Sequence, residues 1–162
     1  MSNNKPIEAA VGGMLRERGL VLATAESCTG GLIGERVTSV AGSSDYYAGG
    51  VIAYSNAVKT ALLNVDEAVL AEHGAVSIPV AEAMAAGVLA QLNADIAVST
   101  TGIAGPAGGS EDKPVGLVYI GLDLRGQPAT CRKFIFEGNR KDVQMAASQA
   151  AFEMIQHYLV SE

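Results

Sequence analysis

A three-layer α/β/α sandwich on a mixed, mostly parallel sheet, ending in a β-hairpin and a helix, is the fold class that this 162-residue sequence predicts. Three observations carry that expectation. Short apolar runs alternate with stretches of helical periodicity as far as Thr100, which calls for parallel strands with helices on both faces of the sheet. Two later apolar runs flank Leu124-Arg125-Gly126-Gln127, the pattern of an antiparallel hairpin. Hydrophobic residues make up 49% of the chain and aromatics only 5%, enough for one aliphatic core, and no linker, repeat or low-complexity tract divides residues 1–162 into more than one domain.

The elements follow in order. Apolar residues from Ile7 to Leu15 recur at helical spacing and stop at Gly19, a C-cap candidate, and a first strand runs from Leu20 to Thr24. A helix beginning near Leu32 ends near Gly42. Tyr46 to Tyr54 is rich in β-formers and bounded by Ser43-Ser44-Asp45 and Ser55-Asn56, so it reads as a second strand, with Ser55 capping a short helix after it. Asp66 to Glu72 suggests another short helix closed by His73-Gly74, and Ser77 with Pro79 starts an Ala-rich helix reaching Leu92. Ile96 to Thr100 is a buried strand, Val115 to Asp123 and Ala129 to Phe136 form the hairpin, and Asn139 caps a last helix ending near Leu159.

Charge and composition narrow the function. A net charge of −6 without any basic stripe argues against a nucleic-acid surface, which needs cationic side chains to displace phosphate counterions. The start, Met-Ser-Asn-Asn-Lys-Pro, lacks the apolar core of a signal peptide, and no apolar run spans a bilayer, so a cytoplasmic protein that does not enter membranes is expected. Cys28 and Cys131 read as free thiols, no His/Asp/Glu spacing suggests a metal, and no cofactor is expected. The aliphatic content points to a homo-oligomer, with a dimer favoured.

Polar clusters gather where strands end. In Thr24-Ala-Glu-Ser-Cys-Thr-Gly-Gly31, Ser27 sits at a strand-to-helix turn, a place that lifts a nucleophile above the sheet and surrounds it with unpaired N–H groups. An N-cap role for Ser27 or Thr29 is the plain structural alternative. In Tyr54-Ser-Asn-Ala-Val-Lys59 a lysine follows a strand end by about one helical turn. Taken alone, Lys59 reads as a solvated lysine on a helix surface; but His73 and His157 both lie at helix ends, so a serine hydrolase here would need a lysine base, for which Lys59 is the candidate. The glycine-rich stretch Thr101 to Ser110 allows close backbone approach to a ligand, but Pro106 and a following strand exclude a Walker or dinucleotide loop. Lys113 and Arg140 add positive charge nearby, while Glu26, beside Ser27, can orient a neighbour.

These motifs, with His73-Gly-Ala-Val-Ser77 and Lys113-Pro-Val-Gly116, closely resemble the C-terminal domain of the competence/damage-inducible protein CinA, over nearly the whole chain. The stand-alone members of that family are nicotinamide-nucleotide amidases. The resemblance implies hydrolysis of the carboxamide of nicotinamide mononucleotide to nicotinate mononucleotide and ammonia, in pyridine nucleotide salvage. It also implies Ser27 as nucleophile, Lys59 as base, Tyr54 and Thr101 in the hydroxyl network, and Arg140 on the substrate. Substrate contacts would come from Cys28, Thr29, Gly30 and Gly31 around the oxyanion and from Gly102 and Gly105 near the phosphate. The longer proteins of the family carry an additional N-terminal domain, for which this chain has no room. A cysteine amidase using Cys28 and a catalytically silent nucleotide-binding module are the rival readings.

Overall fold

The structure, a computed structural model, describes residues 5–162. The first helix, α1 (Ile7–Arg18), ends at Gly19, whose φ of 65° is the left-handed cap the sequence suggested. Leu20 N–H still bonds the Leu15 carbonyl, so this residue belongs to the helix end. Strand β1 is therefore Leu22–Glu26, two residues later than expected, and it takes in Glu26. Next come α2 (Leu32–Thr38), a 3₁₀ turn (Ser43–Asp45), β2 (Tyr47–Ile52) and α3 (Asn56–Leu63). The α2 helix stops short of Gly42 because Thr38 and Ser39 turn their hydroxyls back onto the carbonyls of Gly34, Glu35 and Arg36. The remaining elements are α4 (Glu67–His73), α5 (Ile78–Gln91), β3 (Ile96–Gly102), β4 (Leu117–Leu124), β5 (Thr130–Ile135) and α6 (Arg140–Ser161).

The sheet order is β2-β1-β3-β4-β5. β1 lies parallel to both β2 and β3, and the hairpin then adds two antiparallel pairings, so β4 alone runs against the other strands. Alternation along the strands divides the core in two. Leu22, Ile96 and Val98 face α1, α2 and α6, where Leu15, Ile33 and Phe152 pack, whereas Ala23, Ala25 and Ala97 face α3, α4 and α5, with Leu63, Leu70 and Met84. The three-layer, mixed-sheet expectation holds.

Two local features set the position of α3. Ser55 accepts a hydrogen bond from Val58 N–H and so starts the helix where the sequence placed it. Gly87 of α5 has no Cβ, and one built there would collide with the Leu63 carbonyl oxygen. Its absence lets the two helix backbones approach more closely than side chains would permit. The close contact brings α3 and its Lys59 down onto the end of β1. The last helix opens with a reciprocal capping box between Asn139 and Asp142.

Candidate active site

Period-two alternation carries from β1 into the turn after it: Thr24 and Glu26 point to the α2 side, Ala23, Ala25 and then Ser27 to the α3 side. Lys59 reaches Ser27 from that side. Its Nζ lies 3.0 Å from Ser27 Oγ, 2.9 Å from the Ala53 carbonyl oxygen and 3.3 Å from that of Tyr54. The lysine is only 1% exposed and forms no ion pair among the described residues. Desolvation, opposed only in part by the neighbouring Cys28 sulfur, holds its pKa below the usual lysine range. An ammonium would donate to all three oxygens, whereas a neutral amine donates two N–H groups to the two carbonyls and keeps its lone pair for Ser27 Oγ–H. In its neutral form Lys59 can accept the serine proton, and no histidine is among the residues that line the cleft around the pair.

The pair opens into a cleft of about 310 Å³. That size lies at the lower end of the roughly 300–1,000 Å³ usual for small-molecule sites. Tyr54, Asn56 and Arg140 supply polar rim groups, Ala75, Val76 and Ile103 apolar wall, and the glycine-rich loop lines the remainder through residues 101–105, 107 and 108. Arg140, at the start of α6, donates to the Gly105 carbonyl oxygen at 2.8 Å and to the Tyr54 hydroxyl at 3.1 Å. It ties the glycine-rich loop to the far rim of the cleft while keeping further N–H donors free for a ligand.

Behind Ser27, the neighbouring Glu26 is 2% exposed. Its Oε1 accepts from Thr29 Oγ1 at 2.6 Å and from Ile33 N–H at 2.8 Å, and its Oε2 accepts from Gly34 N–H at 3.0 Å. A carboxylate therefore occupies the N-terminus of α2, and the first-turn amides expected to face the serine are already taken. The amides left near Ser27 belong to the turn itself. Ser27 N–H bonds Thr100 O and Gly30 N–H bonds Ser27 O, whereas Cys28 and Thr29 N–H have no hydrogen-bond partner among the described residues.

The CinA C-terminal domain family model matches residues 4–159. The chain belongs to that family. A CinA-like protein of Syntrophus aciditrophicus is 49% identical over 160 residues, covering 98% of this chain and 38% of that protein, and one of Acaryochloris marina is 59% identical over 120 residues, 74% of this chain and 29% of that protein. The chain thus spans well under half the length of the curated relatives it matches. Among solved structures, a CinA superfamily protein from Klebsiella pneumoniae superposes with a TM-score of 0.92 at 33% identity, covering 96% of this chain and 97% of that one. The competence/damage-inducible protein CihA from Agrobacterium tumefaciens gives 0.88 at 36% identity, with 97% and 98% covered.

Within this CinA domain the residues singled out from sequence fall into two groups. Ser27, Cys28, Tyr54, Lys59, Thr101, Gly102, Gly105 and Arg140 all line the cleft. Thr29, Gly30 and Gly31 do not. Thr29 turns its hydroxyl to Glu26 and, at 2.8 Å, to Thr100, while the two glycines take φ of 62° and 104° to make the turn into α2. Inside the cleft the roles also shift. Thr101 donates to the Ala75 carbonyl oxygen at 2.7 Å, bracing the α4–α5 connection. Tyr54 contributes its backbone oxygen to Lys59, and its hydroxyl points to Arg140. Lys113 stays at the surface and caps α4 through the His73 carbonyl oxygen. The Cys28 thiol is buried, and desolvation pushes it up to about 12, so it stays protonated near neutral pH.

Two contributors escaped the sequence reading. Thr100, opposite Glu26 in the β1–β3 register, receives Ser27 N–H on its carbonyl and faces Thr29 with its hydroxyl. Gln144 lies one α6 turn beyond Arg140, and its Nε2 donates to the Cys28 carbonyl oxygen at 3.1 Å. The i, i+4 spacing from Arg140 was the signal for the second.

Proposed function

We propose that this CinA domain is a serine amidohydrolase that converts the carboxamide of nicotinamide mononucleotide to the carboxylate. The observation that carries the reading is a buried lysine without a counter-ion, 3.0 Å from the hydroxyl of a serine at a strand-to-helix turn, in an open cleft. Lys59 takes the Ser27 proton as Oγ bonds to the amide carbon, and the carbonyl electron pair moves onto oxygen. The free N–H group of Cys28, which lines the cleft beside Ser27, is the available donor for that oxyanion. As the C–N bond breaks, the Lys59 ammonium returns the proton to departing ammonia. Water then attacks the serine ester and gives one proton to Lys59, which passes it to Ser27 Oγ as the acyl C–O bond breaks, and the carboxylic acid so formed releases its remaining proton to solvent and leaves as the carboxylate.

Arg140 suits the nucleotide's phosphate, because it is the cation on the cleft rim beside the backbone of a glycine-rich loop. A Cys28 nucleophile has less support, since its thiol is buried and protonated and has no base in the place Lys59 holds for Ser27. The test is ammonia release from nicotinamide mononucleotide by the purified protein, with Ser27→Ala as control. Turnover by wild type and none by the variant is expected. No ammonia from the wild type would refute the substrate, and an active Ser27→Ala would refute the nucleophile.

A further inference from the structure

We propose that Glu26 is a positioning residue for the Ser27–Lys59 pair, an inference that rests on reading Ser27 as the nucleophile. Three observations meet at this one residue. Its carboxylate accepts three hydrogen bonds, from Thr29 Oγ1, Ile33 N–H and Gly34 N–H, which fasten the end of β1 to the first turn of α2. Its own carbonyl oxygen accepts Ala53 N–H at 2.8 Å, and the Ala53 carbonyl oxygen accepts Lys59 Nζ at 2.9 Å. On the other flank, Ser27 N–H is fixed to Thr100 O at 3.0 Å, while the Thr100 hydroxyl meets Thr29 Oγ1.

Both ends of the Ser27 Oγ to Lys59 Nζ contact therefore trace back to Glu26. The serine follows it in the chain, and the lysine is tethered through Ala53. The side chain points away from the cleft, so Glu26 does not touch the substrate and acts only by fixing the peptide that carries Ser27. A displacement of one ångström in a reacting pair can cost about a hundredfold in rate. Such a residue governs the rate of the bond-forming step and leaves binding at the Arg140 rim alone.

The variants are Glu26→Gln and Thr29→Val. The carboxamide of Glu26→Gln keeps the shape but presents an NH₂ where the carboxylate accepted hydrogen bonds, so at least one of the three is lost. Thr29→Val removes the Thr29 hydroxyl, and with it the contacts to Glu26 Oε1 and Thr100 Oγ1, while leaving the two amide bonds of the Glu26 carboxylate in place. Two readouts are used on protein shown by circular dichroism to be folded at the assay temperature: kcat and KM with nicotinamide mononucleotide, and the second-order rate at which a fluorophosphonate labels Ser27, identified by mass spectrometry. Glu26→Gln is expected to lower kcat and the labelling rate at least tenfold with KM within about twofold, and Thr29→Val to lower both by a smaller factor. Unchanged kcat and labelling in a folded Glu26→Gln overturns the proposal, as does a KM that rises in step with the loss of kcat. If Glu26→Gln does not fold, Thr29→Val decides on the same criteria. Labelling does not depend on the substrate, so a wild type that labels at Ser27 but releases no ammonia would count against the proposed reaction and leave the Glu26 proposal to be judged by the labelling rates.

Discussion

Replacing Lys59 is the most informative perturbation, because base and electrostatic roles predict different outcomes from the same contacts. If the lysine takes the Ser27 proton, its loss removes general-base catalysis, typically 10²–10⁴ in rate or about 3–5 kcal/mol. Lys59→Met keeps the length and should fall in that range. Lys59→Arg keeps a positive charge and donors for the Ala53 and Tyr54 carbonyls, but a guanidinium with a pKa above about 12 cannot accept a proton. It should be nearly as slow as the methionine variant. The pH profile supplies the independent arm. Desolvation lowers the lysine pKa from its usual 10.5, so kcat/KM should rise along a limb whose midpoint lies below that value, and the limb should vanish in Lys59→Met. The sign for stability follows: between the folded and unfolded pKa values the unfolded chain binds more protons, so wild type should gain stability relative to Lys59→Met as pH rises through that window. Steady-state kinetics from pH 6 to 10 and thermal melts over the same range, both on the order of routine enzyme assays, make the test. A Lys59→Arg variant within tenfold of wild type, or a pH limb that survives in Lys59→Met, would refute the base assignment.

Cys28→Ala should retain most turnover while Ser27→Ala has none, since the thiol is buried and pushed up to about 12; the reverse pattern in an ammonia assay would restore the cysteine reading. Arg140→Ala should reduce kcat/KM by roughly ten- to a hundredfold, the worth of a charge-assisted hydrogen bond of about 1.5–3 kcal/mol, mainly through KM, and should hardly affect nicotinamide riboside, which lacks the phosphate. Equal losses on both substrates would count against phosphate recognition. Gly87→Ala should destabilise the fold by about 1–3 kcal/mol, seen as a drop in Tm of about 2–4 °C per kcal/mol, because its methyl group would meet the Leu63 carbonyl oxygen; an unchanged Tm would show that α3 and α5 can separate freely.

What the sequence by itself determined is what depends on neighbours in the chain. The Gly19 cap, the Ser55 and Asn139 N-caps, the hairpin and the placing of Ser27 in a strand-to-helix turn were legible, because local backbone preferences and side-chain periodicity specify them. Ser27 and Lys59 were both picked out, yet nothing in the chain fixes the distance between two residues 32 positions apart. Their contact depends on α3 settling against α5 at Gly87 and on Ala53 bonding the end of β1, and both are tertiary. Glu26 shows the same limit at closer range. Its neighbour was read as the nucleophile, but its own task turned on β1 running two residues further than the apolar run, so that its carboxylate fell on the α2 face. Thr100 and Thr101 differ only in strand parity, which sends one hydroxyl to Thr29 and the other to Ala75, and parity is read only after the register with β1 is known. Element type is set by local free energies that the sequence carries within a few residues, whereas the spacing of reactive atoms is set by packing between elements, where displacements below an ångström decide the chemistry.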